Sequence, residues 1–268
     1  MRILIRIVFF LLALSVSGLA DVASDSHVYP NGFSIVIKLA GELYTALPAK
    51  YGEQLDAQTV ALQPQELPVV APISTTDDNH VLRQVCLSAG FIDVVNHICH
   101  AKAADRIEPG FFDKYVKTLS DLYATNPVAS PPSIANPAFW SDDVMNDQSS
   151  YFNQVIGLLT AINLSHHYLG HYAKYSDRMI GPGGSIVPIN NYLTAGEWNV
   201  SVKAGAADAL NCALATDGPR ALFEAFDQMQ HKPAWAAYIV PPGVDLKKLN
   251  KQLVGYETDF FHGKLTLR

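Results

Sequence analysis

Between Leu164 and Tyr175 the chain reads Leu-Ser-His-His-Tyr-Leu-Gly-His-Tyr-Ala-Lys-Tyr, a dense run of groups that can accept protons or hold a metal. On a continuous helix His167 and His171, four apart, project from one face about one turn from each other. That is the spacing at which a helix gives two imidazoles to one zinc ion. His166 falls instead on the apolar stripe of Phe152, Val155, Ile156, Leu159 and Ile162, where a neutral, hydrogen-bonded core histidine is the ordinary reading. A second group, Asp93, His97 and His100, stands at i, i+4 and i+7 on one side of its own helix, away from Phe91 and Val95. It reads either as a polar surface stripe or, packed against His167 and His171, as half of a mixed His/Asp site in a bundle interior.

The segment His167-Tyr168-Leu169-Gly170-His171 resembles the H-E-L-G-H form of the zinc-peptidase motif, with Tyr168 where a glutamate would polarise the metal-bound water. Further on, Ala204-Gly-Ala-Ala-Asp208 is similar to the E-x-x-x-D motif that gives heat-shock and prenyl-protease type zinc peptidases their third ligand. Its aspartate is kept and Ala204 replaces the glutamate. A Phe/Met helix and Pro241-Pro-x-x-x-Leu-Lys-Lys-Leu follow in the order that family uses, so the likeness covers roughly residues 150 to 255. The resemblance implies an exported, metallopeptidase-like protein that holds zinc through His167, His171 and Asp208 but lacks standard peptidase activity. Both glutamates are replaced, and a tyrosine hydroxyl at its ordinary pKa of about 10 is a poor general base. The alternative is a non-catalytic exported helical binding protein whose histidines are structural. Glu197 is a further candidate ligand, but its position in the Thr194-x-x-Glu197 capping box already accounts for it.

Other chemistries find no support. There is no Gly-x-Ser-x-Gly elbow. Gly181-Pro-Gly-Gly-Ser has neither a strand before it nor a lysine after it, so it is not a phosphate loop. Asp142, Asp143 and Asp147 lack calcium-loop spacing and suit the first turn of the next helix. Cys86 and Cys99, on one straight helix, would stand ~20 Å apart, too far to pair. Either one could pair with Cys212, and three buried apolar thiols are the ordinary reading.

The elements that must position these groups are read as mainly α: a multi-helix globular domain over 76–268, preceded by an irregular N-terminal arm over 21–75. In the arm, Phe33 to Leu39 suits a strand or the start of a helix, and Pro64, Pro68 and Pro72 argue for extended chain. Asp77 or Asp78 can cap a helix running through His80 to about Asp105, with Phe91, Val94, Val95 and Ile98 on one face. Phe112 to Tyr123 repeats at helical spacing. The four prolines of 126–137 then mark a connection between two helical halves. Phe152 to about Tyr175, Thr194 to about Ala215, a helix starting at Asp217-Gly-Pro and one capped by Asp245 complete the set. No set of alternating strands stands out.

Arg2 and Arg6, then the apolar Ile7–Leu14 run and Gly18-Leu-Ala20, read as a signal peptide over 1–20. The run is short of the ~20 apolar residues a bilayer span needs, so the mature chain is expected to have no membrane span. It would be exported, periplasmic or extracellular. The net charge of −6 argues against a nucleic-acid partner, leaving an unknown protein or peptide. Nearly half the residues are hydrophobic and few are charged, a composition able to bury a large core.

Overall fold

The computed structural model describes residues 31–77 and 80–267; the expected signal peptide over 1–20, the first residues of the expected arm and Asp78 lie outside them. In chain order the elements are α1 (Gly32–Ala46), α2 (Ala49–Gly52), β1 (Val60–Gln63), β2 (Val70–Asp77), β3 (His80–Ser88), α3 (Ala89–Ala104), α4 (Phe111–Thr125), α5 (Asp142–Tyr168), α6 (His171–Tyr175), α7 (Ala195–Asn211), α8 (Asp217–Gln228) and α9 (Leu246–Phe261). The chain is therefore mainly α. Every residue from Gln154 to Tyr168 is buried, which makes the second half of α5 the axis of the fold. Helices α1, α3, α7 and α8 pack around it.

The apolar run beginning at Phe33 is helical. Val36, Leu39, Ala40 and Leu43 recur at helical spacing in α1 and are buried, and α1 packs on α5 and α7. The proline-bearing stretch after it is extended, as its composition requires, but it is built into a sheet of order β1-β3-β2. β1 runs parallel to β3, with Val60 opposite Val85, and β2 runs antiparallel to it, with Val70 opposite Leu87.

This sheet overturns the expected long helix from His80. Residues 80–88 form its central strand, and Val85, Cys86 and Leu87 are wholly buried in it. Their apolar run fits either structure locally. Pairing on both edges decides for the strand. The helix begins only at Ala89, and its cap is Ser88, whose Oγ accepts from the Phe91 amide at 3.1 Å, not Asp77 or Asp78. Beyond that point Phe91, Val94, Val95 and Ile98 form the expected buried face. Cys86 thus stands on a strand and Cys99 on a helix, and all three cysteines are free thiols.

The proline-rich connection is pinned to the core. Tyr115 donates to the Pro132 carbonyl at 2.7 Å, Trp235 to that of Pro127 at 2.6 Å, and Trp140 to that of Ile134 at 2.8 Å. Downstream, the Thr194/Glu197 capping box forms on α7, and the Asp245 carboxylate caps α9 by accepting from the Lys248 amide at 2.9 Å.

Candidate functional site

The histidine segment does not continue as one helix. α5 stops at Tyr168, Leu169 caps it, and Gly170 takes φ +77° before the chain restarts as α6. A left-handed residue costs a side chain about 1–2 kcal/mol, and glycine avoids that cost. The break displaces His171 from the position one turn beyond His167. Instead it brings the His171 ring against that of His166, with Nδ1 to Nδ1 at 3.2 Å.

Ser201 of α7 closes this pair into a triangle. Its Oγ stands 3.2 Å from His166 Nδ1 and 3.1 Å from His171 Nδ1. What places Ser201 there is the close approach of α5 and α7 one turn further along. A Cβ on Gly205 would lie 2.7 Å from the Ile162 backbone nitrogen, so only glycine lets the helices meet. All three triangle residues are buried. Burial pushes the His166 imidazole down to about 3, reinforced by His171 and His167 and opposed by the Glu197 carboxylate. Burial lowers His171 as well. Both rings are therefore neutral at physiological pH.

His167 points elsewhere. Its Nε2 donates to the Gln84 carbonyl of β3 at 2.9 Å, and its ring lies 4.8 Å from that of Tyr172. Its Nδ1 is buried without a partner. Burial holds this imidazole down at about 4, against the opposing Gln84 carbonyl and with the help of the Arg83 charge. Tyr168, which occupies the glutamate position of the peptidase motif, stacks on Tyr51 at 4.4 Å between ring centroids. Burial, with Asp208 and Tyr51 adding to it, pushes its hydroxyl upward, away from any use as a base.

Asp208 is fully buried on α7, both carboxyl oxygens lack a hydrogen-bond partner, and burial raises it to about 7. It joins neither histidine. Glu197 accepts from Lys174 at 2.7 Å, from Tyr175 at 3.0 Å and from the Thr194 amide at 2.8 Å. Burial pulls this carboxylate upward, but those bonds outweigh it and hold it at about 2. The residues assigned to zinc by resemblance, His167, His171 and Asp208, thus do not form one donor set. Among the described residues no three His, Cys, Asp or Glu side chains group in a way that could hold an ion.

The second histidine group is buried as well, contrary to a surface stripe. His97 Nδ1 donates to the Asp93 carbonyl at 2.9 Å, with the Asp93 carboxylate 3.3 Å away. His100 Nε2 donates to the Phe139 carbonyl at 2.7 Å, and its ring meets Trp140 edge-on at 4.6 Å. Neither ring is bonded to the His166–His171 pair. These are packing histidines.

A cleft of about 380 Å³ opens where β3, the turn after α2 and the α5–α6 junction meet. Gln54, Arg83, His167 and Tyr172 supply its polar lining, and no carboxylate is among its lining residues. Arg83 is exposed and donates to the Gln54 carbonyl at 2.9 Å. Tyr172 is fixed because its hydroxyl accepts from the Ser74 amide of β2 at 2.9 Å.

No family model, curated protein or solved structure matches the chain. Arg83, Gln84 and Ser201 escape sequence reasoning because they lie far along the chain from the histidines they meet. The one local signal for Ser201 is its place on the α7 face shared by Glu197, Gly205 and Asp208.

Proposed function

We propose that this chain is an exported, non-catalytic binding protein whose cleft beside Arg83 and His167 takes a small carboxylate-bearing molecule. The observation that carries the reading is the lining of that cleft: a guanidinium next to a neutral imidazole, amide and phenol groups around them, and no acid. A guanidinium keeps its charge at any physiological pH and pairs with a carboxylate through two parallel N–H donors. The volume suits a small ligand, near the lower end of the roughly 300–1,000 Å³ usual for such sites. None of the lining residues is a Ser, Cys, Asp or Glu that could act as nucleophile or acidic base, which favours binding over turnover.

The alternative, a zinc-peptidase-like protein binding metal through His167 and His171, has the order of its motifs in its favour. Against it stand the separate partners of those two histidines and the stacked, non-basic Tyr168. Export rests on Arg2, Arg6 and the Ile7–Leu14 run. Among the described residues no helix is long and apolar enough to cross a membrane. N-terminal sequencing of the protein recovered from its destination should then begin at Asp21.

Calorimetric titration with a panel of mono-, di- and tricarboxylates, run beside Arg83→Gln, tests the binding reading. Saturable binding that weakens tenfold or more in the variant supports it. Absence of binding across the panel, or equal binding by both proteins, counts against it.

A further inference from the structure

The His166–His171–Ser201 triangle lies outside the cleft's lining and has a hydrogen-bond deficit of its own. An imidazole Nδ1 either carries a hydrogen or offers a lone pair, never both. If one ring carries the hydrogen, that N–H and the Ser201 hydroxyl supply two hydrogens to three contacts. If both rings carry it, two N–H groups face each other across 3.2 Å. In every tautomer at least one edge of a triangle with sides of 3.2, 3.2 and 3.1 Å has no hydrogen bond to hold it.

We infer that His166 Nδ1, His171 Nδ1 and Ser201 Oγ form the three-sided floor of a binding site for a divalent transition-metal ion of the Zn2+ or Co2+ class. Two ligands that sit 2.0–2.1 Å from a tetrahedral ion stand roughly 3.3 Å from each other, which is the size of each edge here. One ion above the triangle satisfies all three lone pairs together, with its fourth position turned to a water or an anion. Imidazole nitrogens select metals of this class over Mg2+ or Ca2+, which prefer all-oxygen shells. The Glu197 carboxylate, one turn before Ser201 on α7, acts on both imidazoles, and its ion-pair partner Lys174 offsets part of that effect at His171. His171 is the least buried of the three, with 8% of its surface in solvent.

This site differs from the His167/His171/Asp208 set that the resemblance suggests. His167 has no part in it, and Ser201 takes the third place. The inference also goes beyond the cleft reading, because Arg83 plays no role in metal uptake and the triangle plays none in carboxylate binding. Either can fail alone.

The full chain, stripped with chelator and checked for native circular dichroism, is titrated with Co2+ and then Zn2+. One Co2+ per chain with an intense tetrahedral visible spectrum, displaced by Zn2+, is expected. His167→Ala should keep that spectrum and stoichiometry. His171→Ala should lose both, and Ser201→Ala should raise the Zn2+ dissociation constant about tenfold or more. Ser201→Cys needs no loss of function to be informative. It should add a thiolate-to-cobalt charge-transfer band to the spectrum. If the folded wild-type chain takes up no Co2+ or Zn2+, the inference is overturned. It is equally overturned if uptake disappears with His167→Ala and survives His171→Ala, or if Ser201→Cys binds cobalt without a sulfur band.

Discussion

At the residue scale, His167 and Asp208 separate what a sequence motif suggests from what burial enforces. His167 holds a strand carbonyl, so truncating it removes a buried hydrogen bond to Gln84 and leaves Tyr172 with an empty neighbour. His167→Ala should destabilise the fold by about 2 kcal/mol, read as a lower urea midpoint at unchanged slope. A pure metal-ligand role would instead leave the midpoint of the metal-free protein where it is. Asp208 carries a sharper, pH-dependent signature. Its carboxyl is raised by burial to about 7, above the value of about 3.9 it has in the unfolded chain. Below both values the group is protonated in either state and contributes no penalty. Between them the unfolded chain releases the proton while the folded chain retains it, so stability falls as pH rises and levels off above the folded value. The loss between pH 4 and pH 8 should amount to roughly a few kcal/mol, and Asp208→Asn should flatten this part of the profile. Urea midpoints measured across that range check it; parallel profiles for the two proteins would show the carboxyl to be solvated. The aspartate was conspicuous in the sequence, but its isolation was not. That depends on the helices packed around it.

At the scale of elements, α4, α7, α8 and α9 were legible because each carries its own signals: an i, i+3, i+4, i+7 stripe, a capping box, or an aspartate before an apolar run. β3 was not, because its identity depends on partners elsewhere in the chain, Val60 on one side, 25 residues before Val85, and Val70 on the other, 17 before Leu87. The break between α5 and α6 was hidden for a different reason. A single glycine inside a helical pattern is tolerated at a modest penalty, so Gly170 alone does not announce a stop. Its φ of +77° and the open space around its Cα separate backbone from packing effects. Gly170→Ala should cost about 1–2 kcal/mol from backbone strain alone, with no clash to relieve. Gly205→Ala makes the complementary case. Its backbone is ordinary helix, but the new methyl meets the Ile162 nitrogen at 2.7 Å. Pushing α5 from α7 should cost about 1–3 kcal/mol and pull Ser201 away from the two imidazoles. Thermal melts of the two variants, paired with the cobalt titration, distinguish strain at a turn from separation of two helices.

For the whole molecule, the question is whether the segment before β3 is an arm laid on a helical domain or part of its core. Composition alone suggested an arm, since 21–75 is rich in proline and poor in helical period. The packing says otherwise. One continuous apolar cluster runs from Val36 and Leu39 in α1 through Val85 and Leu87 in β3, Val155 and Ile162 in α5, Val202 in α7, Leu222 and Phe226 in α8, to Leu249 and Leu253 in α9. The connection over 126–137 does not divide it, because Tyr115, Trp140 and Trp235 tie its carbonyls to the helices on both sides. A cluster shared by all these elements cannot be opened at one end without exposing apolar surface at the other, so unfolding should be one cooperative event. The chain supplies its own reporters: Trp140, Trp198 and Trp235 all lie beyond the arm. Leu43, wholly buried in α1, sits outside that half of the sequence. Leu43→Ala should lower stability by about 2–5 kcal/mol, and the shift should appear in full in the tryptophan fluorescence transition, superimposed on that of far-ultraviolet circular dichroism. An arm folding by itself would give the other result. The mutation would move an early dichroism change and leave the tryptophan midpoint in place, and the three helices around α5 would then have to be stable without α1 covering them.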